Sequence, residues 1–189
     1  IRDRNREKFK SFLSEFNFLQ PENRIAQNTS EAFDAVNELG YPVIVRPSYV
    51  LGGRAMELIY TSSDLKNYLN NQFEIAKDNP LLIEKFLDDA VELDIDIVCD
   101  GENALVGGVL QHIEEAGIHS GDSSCSFPPY SVGDTQLHTL KKEIKAVAKK
   151  LNVFGLMNAQ VAVKDDKFYM IEVNPRASRT IPFLSKCIG

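Results

Sequence analysis

Glu172 and Asn174 stand two residues apart in the run Met170-Ile171-Glu172-Val173-Asn174-Pro175-Arg176. On a strand, that spacing puts both on one face and leaves Ile171 and Val173 to fill the other. A second run carries Gln160 beside apolar Val161 and Val163, and a hairpin around Lys164–Lys167 sets Gln160 next to Glu172. One carboxylate and two amides are hard oxygen donors. They suit Mg²⁺ or Mn²⁺, which take few protein ligands and complete their shell with phosphate and water. The same pattern also fits the polar face of an exposed hairpin. Arg176 and Arg179 follow directly. Two guanidinium groups at the end of such a strand suit a phosphate or carboxylate substrate, and equally well a surface ion pair.

Arg46 ends the apolar run Val43–Val45, where a charge is costly unless paired, and a bound phosphate would pair it. Gly52 and Gly53 follow in a turn that ends at Arg54. Glycines let backbone N–H groups approach an anion closely, though an ordinary hairpin turn reads the same way. Neither a P-loop nor a dinucleotide fingerprint occurs. Glu84, Lys85 and Leu87 close one strand and Glu92 opens the next. A carboxylate there can accept ribose hydroxyls. Asp94 and Asp96 read as a solvated strand face. His119 lies in Gly117-Ile118-His119-Ser120, which is not a nucleophile elbow, and His112 and His138 read as structural. Arg2, Arg4 and Arg6 sit in a first helical turn, where positive charge opposes the helix dipole and points to a nearby anion.

The elements that must position these groups follow from periodicity. Phe9, Phe12, Leu13 and Phe16 recur at helical spacing. A second helix covers 30–39, opened by a capping box of Asn28 and Glu31 and closed by Gly40. A third covers about 62–76, capped by Thr61 and Asp64. A fourth covers about 134–152, with Leu137, Leu140, Ile144, Val147 and Leu151 facing inward. Strands are expected around 41–48, 55–60 and 80–87. From 90 to 100, Val91, Leu93, Ile95 and Ile97 alternate with Glu92, Asp94 and Asp96, the mark of a strand with one wet face. Asp100-Gly101 marks the hairpin turn into the next strand. Residues 114–133 read as a loop rich in Gly, Ser and Pro. Helices mixed with mostly hairpin-connected strands give an α+β fold with antiparallel sheets.

The chain has 189 residues and a net charge of −6, which argues against nucleic-acid binding by bulk charge. No apolar run approaches the roughly 18 residues of a membrane span. Cys99, Cys125 and Cys187 are too few and too far apart for a disulfide framework or a zinc site, and read as free thiols of a reducing compartment. The chain runs from Ile1 to Gly189 and reads as a segment of a larger polypeptide.

Five segments, RPSYVLGGRAM, FLDDAVELDID, GIHSGDSS, GLMNAQVAV and IEVNPRASRT, together resemble an ATP-grasp domain of the carbamoyl phosphate synthetase large subunit. His119–Ser123 and Ser178–Lys186 resemble the carboxyl-terminal, carbamate-phosphorylating half. The resemblance implies a fold in which two α+β parts with antiparallel sheets sandwich the nucleotide. A first part, about 1–80, carries the phosphate-covering glycine loop. A second, about 81–189, carries the adenine linker and the metal-binding strands. Arg6 and Arg46 are expected on the nucleotide phosphates, with Gly52, Gly53 and Met56 in the loop that covers them. Glu84, Lys85 and Leu87 are expected at the adenine, Glu92 at the ribose, and Gly117, Ile118, His119 and Ser120 beside the nucleotide.

By the same resemblance, Gln160, Glu172 and Asn174 hold two Mg²⁺ or Mn²⁺ ions, with K⁺ as a further ion of the family. Arg176, Arg179, His119 and Asn174 serve catalysis. The implied reaction transfers the γ-phosphoryl group of ATP to carbamate, giving ADP and carbamoyl phosphate for pyrimidine and arginine biosynthesis. The implied partners are the remaining large-subunit domains and a glutamine amidotransferase, subunit or fused, in a cytoplasm of bacterial type. Two other readings stand: a nucleotide-binding fragment without turnover alone, and an ATP-grasp ligase with a different carboxylate acceptor.

Overall fold

The computed structural model describes residues 6–48, 55–72, 80–114, 116 and 123–188. The chain divides into two compact units, Pro21–Leu87 and Ile1–Gln20 with Asp88–Gly189.

The unit Pro21–Leu87 holds a four-stranded antiparallel sheet in the order β2-β5-β3-β4. Its strands are β2 (Asn23–Ala26), β3 (Val43–Pro47), β4 (Glu57–Ile59) and β5 (Leu81–Lys85). Helices α2 (Thr29–Leu39) and α3 (Ser62–Gln72) supply Ala32, Val36, Leu65 and Leu69, which pack with Val43, Val45, Ile59 and Ile83 into one core. Both expected capping boxes form. Asn28 Oδ1 accepts the Glu31 N–H at 2.9 Å, and Thr61 and Asp64 bond each other's backbone N–H groups. Gly40 ends α2 at φ 71°, a conformation that favours glycine. Helix α3 is described as far as Gln72, and the expected stretch 73–76 lies outside the described residues.

The other unit holds a six-stranded sheet in the order β1-β10-β9-β6-β7-β8. Its strands are β1 (Phe18–Leu19), β6 (Val91–Asp100), β7 (Ala104–His112), β8 (Cys125–Ser126), β9 (Phe154–Lys164) and β10 (Lys167–Asn174). All pairings are antiparallel except the short β1–β10 contact. The apolar face of α4 (Asp134–Lys150) and Phe9 and Leu13 of α1 (Arg6–Leu13) pack with Leu93, Ile95 and Val161 in a second core. A short helix, α5 (Ile181–Cys187), closes the described chain.

The dividing line differs from the expected one near residue 80. Strand β5 pairs with β2 and β3, so residues 81–87 belong with the first sheet. Residues 1–20 join the second, because β1 pairs with β10. No described helix is long and apolar enough to cross a membrane.

Candidate functional site

Antiparallel register places directly opposed residues on the same face of a sheet. Gln160 lies between Asp94 and Glu172, so these three form one row across β6, β9 and β10. Asn158 lies between Asp96 and Asn174 and forms the next row. The expected placement of Gln160 beside Glu172 therefore occurs, because β9 and β10 form a hairpin whose turn residues, Asp165 and Asp166, take left-handed φ of 48° and 60°. Asn174 Nδ2 donates to Glu172 Oε1 at 2.6 Å. A half-turn of the near-symmetric amide would present its oxygen instead. Gln160 and Glu172 are each 9% exposed. The donors are all oxygen and hard in character, which fits a divalent cation of the Mg²⁺ class.

The strand carrying Glu172 is not regular. The register shifts between Met170 and Glu172, leaving Ile171 unpaired. Ile171 was expected to fill the apolar face with Val173. It is exposed instead, and Met170 and Val173 occupy the core. A bulge inserts one residue and re-aims those beside it.

Glu92, Asp94 and Asp96 also depart from expectation. Period-two alternation predicted a wet face, yet all three are buried, Asp96 at 1% exposure. Buried carboxylates need partners. Asn158 Nδ2 donates to Asp94 Oδ1 at 3.2 Å and to Asp96 Oδ1 at 3.0 Å. His112 Nε2 lies 2.9 Å from Asp94 Oδ2, and its Nδ1 faces Glu92 Oε1 at 3.7 Å. Burial pushes the imidazole toward neutrality, but the Asp94 hydrogen bond and the charges of Glu92, Asp94 and Glu114 outweigh it, so its pKa is raised. His112 is thus buried against this acidic face and hydrogen-bonded to Asp94.

Asp94, His112 and Cys125 also bring three ligand-type atoms within 4.8 Å of one another. Coordination there would need a thiolate and a neutral imidazole. Burial and the nearby carboxylates push the Cys125 thiol up to about 11, and His112 is drawn toward its charged form. A metal bound there would have to displace the proton of the thiol and any proton held on the ligating imidazole nitrogen. None of the three cysteines is in a disulfide.

Beyond β10, Pro175, Arg176, Ala177 and Arg179 are exposed. Ser178 and Thr180 are half-buried, and Thr180 Oγ1 donates to Asp96 Oδ2 across 84 residues of sequence. Sequence reasoning missed Asn158, Asp96 and Thr180. The same-face spacing of Asn158 and Gln160 repeats that of Glu172 and Asn174 and was the available signal.

In the unit Pro21–Leu87, Arg46 Nε lies 3.3 Å from Glu84 Oε2, and both side chains are largely buried. The charge at the end of β3 thus has a carboxylate partner within the protein, because Ile44 pairs with Glu84 and Arg46 with Leu82 on adjacent strands. Lys85 Nζ donates to the carbonyls of Gly40 and Tyr41 at 3.1 and 2.9 Å. The Lys85 N–H donates to Glu22, and the Phe86 N–H to Pro42. Leu87 and Met56 are half-buried. Gly52, Gly53, Gly117, Ile118, His119, Ser120, and the side chain of Arg6, lie outside the described residues.

The family described as "Carbamoyl-phosphate synthase L chain, ATP binding domain" matches residues 5–189. The carbamoyl phosphate synthase large chain of Pseudomonas putida is 50% identical over 188 residues, covering 100% of this chain and 18% of that relative. The large chain of Xanthomonas axonopodis pv. citri is 52% identical over 191 residues, covering 98% of this chain and 18% of that relative. The chain therefore spans under a fifth of the length of the curated relatives it matches. Among solved structures, the biotin carboxylase domain of Hydrogenobacter thermophilus 2-oxoglutarate carboxylase, in complex with MgADP, ADP and bicarbonate, superposes with a TM-score of 0.74 at 19% identity. That match covers 95% of this chain and 41% of that one. At this identity the likeness establishes the fold, which is ATP-grasp.

Proposed function

The chain belongs to the carbamoyl-phosphate synthase L chain ATP-binding family, and from that premise we propose that it is the carbamate-phosphorylating ATP-grasp module of a larger synthetase. The observation that carries this reading is the row of hard oxygen donors, Gln160 and Glu172 directly opposed and Asn174 bonded to Glu172. A phosphoryl-transfer site needs such a row to hold the cation that accompanies ATP. The Mg²⁺ form is supported by the MgADP held in the related-fold biotin carboxylase domain. Mn²⁺ and K⁺ are further ions in this proposal.

When bound, the metal supplies charge neutralisation on the transferred phosphate. The remaining roles fall to the chain's own groups. Within residues 21–87, Arg46 steadies nucleotide phosphates, Gly52 and Gly53 cover them, and the backbone around Glu84, Lys85 and Leu87 meets the adenine. Elsewhere, Arg6 reaches phosphate, Glu92 accepts from ribose, and Gly117, Ile118, His119 and Ser120 border the nucleotide. Asn174, Arg176, Arg179 and His119 face the γ-phosphate and the acceptor. Arg176 and Arg179 are exposed and carry permanent charge, so they are free to meet an anionic acceptor. Transfer is in line and needs no covalent nucleophile from the protein. ATP and carbamate give ADP and carbamoyl phosphate.

The wording of His119–Ser123 and Ser178–Lys186 supports the carboxyl-terminal half as its origin. Remaining large-subunit domains and a glutamine-hydrolysing partner would supply carbamate and ammonia, in a reducing cytoplasm, for arginine and pyrimidine synthesis. Turnover belongs to the intact chain in this proposal, since the segment spans 18% of its relatives. The test is ATP formation from ADP and carbamoyl phosphate by the full-length large chain. Glu172→Gln is expected to abolish it with the fold kept. Unchanged synthesis by that variant would overturn the metal assignment, and failure of the wild type would overturn the acceptor.

A further inference from the structure

Arg179 is exposed in an irregular turn between β10 and α5. An arginine that must meet a phosphate within an ångström needs its backbone fixed, yet the turn offers few bonds of its own. Arg176 N–H donates to the Asn174 carbonyl at 2.9 Å, and Arg176 Nη1 donates to the Ala177 carbonyl at 3.1 Å. The turn is held instead by the residues on either side of Arg179. Ser178 Oγ and Thr180 Oγ1 lie 2.6 Å apart, and Thr180 Oγ1 bonds Asp96. A threonine hydroxyl has one hydrogen. Since Thr180 gives it to Asp96, Ser178 is the donor in the first bond. The chain therefore runs in one direction, from Ser178 through Thr180 to a carboxylate buried in the middle of β6.

Two features set this apart from incidental packing. Thr180 occupies the N-cap position of α5, where its side chain would ordinarily accept a helix N–H. It makes no such capping bond. Its hydroxyl is turned to Asp96 instead. Asp96 in turn is 1% exposed and bonded by Asn158 at its other carboxylate oxygen, which holds the carboxylate independently of Thr180. Gly108 meets the middle of α5. A Cβ there would lie 2.5 Å from Leu184 Cδ2, so any larger residue would force the Leu184 side chain to shift.

We propose that Asp96 is a positioning residue for Arg179, acting through the Thr180 hydroxyl to hold the arginine-bearing turn against the sheet. The inference rests on the reading of Arg179 as a phosphate-facing group. Asp96 touches no substrate. It exchanges a flexible connection for a fixed one, and it does so from the strand neighbouring the one that carries Gln160, so the donor row and the arginine turn share one rigid frame.

The test uses the full-length large chain and ATP formation from ADP and carbamoyl phosphate. Thr180→Val removes the hydroxyl at nearly constant volume. It is expected to lower kcat between about ten- and a hundred-fold, the cost of small misplacement, with the KM for ADP little changed. Thr180→Ser keeps the donor and is expected to recover most of the loss. Arg179→Ala, measured alongside, separates the two ideas. If Arg179→Ala leaves kcat intact, the phosphate-facing reading fails and the inference falls with it. If Arg179→Ala loses activity while Thr180→Val matches wild type, or Thr180→Ser is as impaired as Thr180→Val, the tether is wrong and the reading of Arg179 stands. Thermal unfolding of each variant identifies a loss that follows from unfolding, and in that case the Thr180→Ser comparison, at matched stability, decides.

Discussion

Gln160 sits directly across the β9–β10 ladder from Glu172, with Asp94 opposite it on the other side. This amide is thus flanked by two carboxylates on neighbouring strands. Gln160→Ala removes a neutral oxygen donor and leaves both carboxylates in place. The full-length Gln160→Ala chain is expected to need between about ten- and a hundred-fold more Mg²⁺ for half-maximal phosphoryl transfer. A titration of activity against Mg²⁺ measures this. An unchanged midpoint would remove Gln160 from the donor set.

The acidic face of β6 predicts a pH dependence. The pKa of His112 is raised above its ordinary 6.5, chiefly by the Asp94 bond working against burial, so the folded chain holds the extra proton. Its contribution is fully present below the unfolded value and is lost as pH rises through the folded one. Wild type should be stabilised relative to His112→Gln at about pH 5.5, with the gap narrowing toward about pH 8.5. Thermal unfolding across that range checks it. A gap that widens with pH would mean His112 is buried neutral.

Gly108 and Leu184 make a matched pair. Gly108→Ala should cost about 1–3 kcal/mol by overpacking against Leu184. Leu184→Ala alone should cost about 2–5 kcal/mol by leaving a cavity. Combined, the two should cost clearly less than their sum, because the new methyl enters the space vacated. Denaturant melts of the four proteins measure the coupling, and strict additivity would contradict the close approach of α5 to β7.

Glu84→Ala strips Arg46 of a carboxylate in a largely buried position. The expected loss is about 1–3 kcal/mol of stability in the unit Pro21–Leu87. Added phosphate or ADP should restore part of it if Arg46 is a phosphate ligand. Melting temperature with and without ADP reads both effects.

Much of this molecule was legible before its coordinates. Both capping boxes, the Gly40 helix end and the β9–β10 hairpin follow from local chemistry, and local chemistry is what a sequence displays. The pairing of Gln160 with Glu172 followed from the hairpin, since a short turn fixes register. Asp94 and Asp96 show where such reasoning stops. Alternation reports which side chains share a face, and the identity of what covers that face comes from Asn158, His112 and Thr180, which lie 62, 18 and 84 residues away from their carboxylate partners. The bulge that exposes Ile171 was equally invisible, as no residue type marks it. Strands β1 and β8 are two residues long and carry no period to detect. Helix α5 begins beside Pro182, with its capping threonine engaged elsewhere.

The central claim is that the Gln160, Glu172 and Asn174 cluster holds the cation of a bound nucleotide. A calorimetric titration of this chain with ADP, with and without Mg²⁺, tests it most directly, with Glu172→Gln as the comparison. The account predicts binding to wild type that strengthens with Mg²⁺, and a Glu172→Gln variant in which that Mg²⁺ dependence is lost. Binding by folded wild type that ignores Mg²⁺, or an equal Mg²⁺ response in Glu172→Gln, would contradict it.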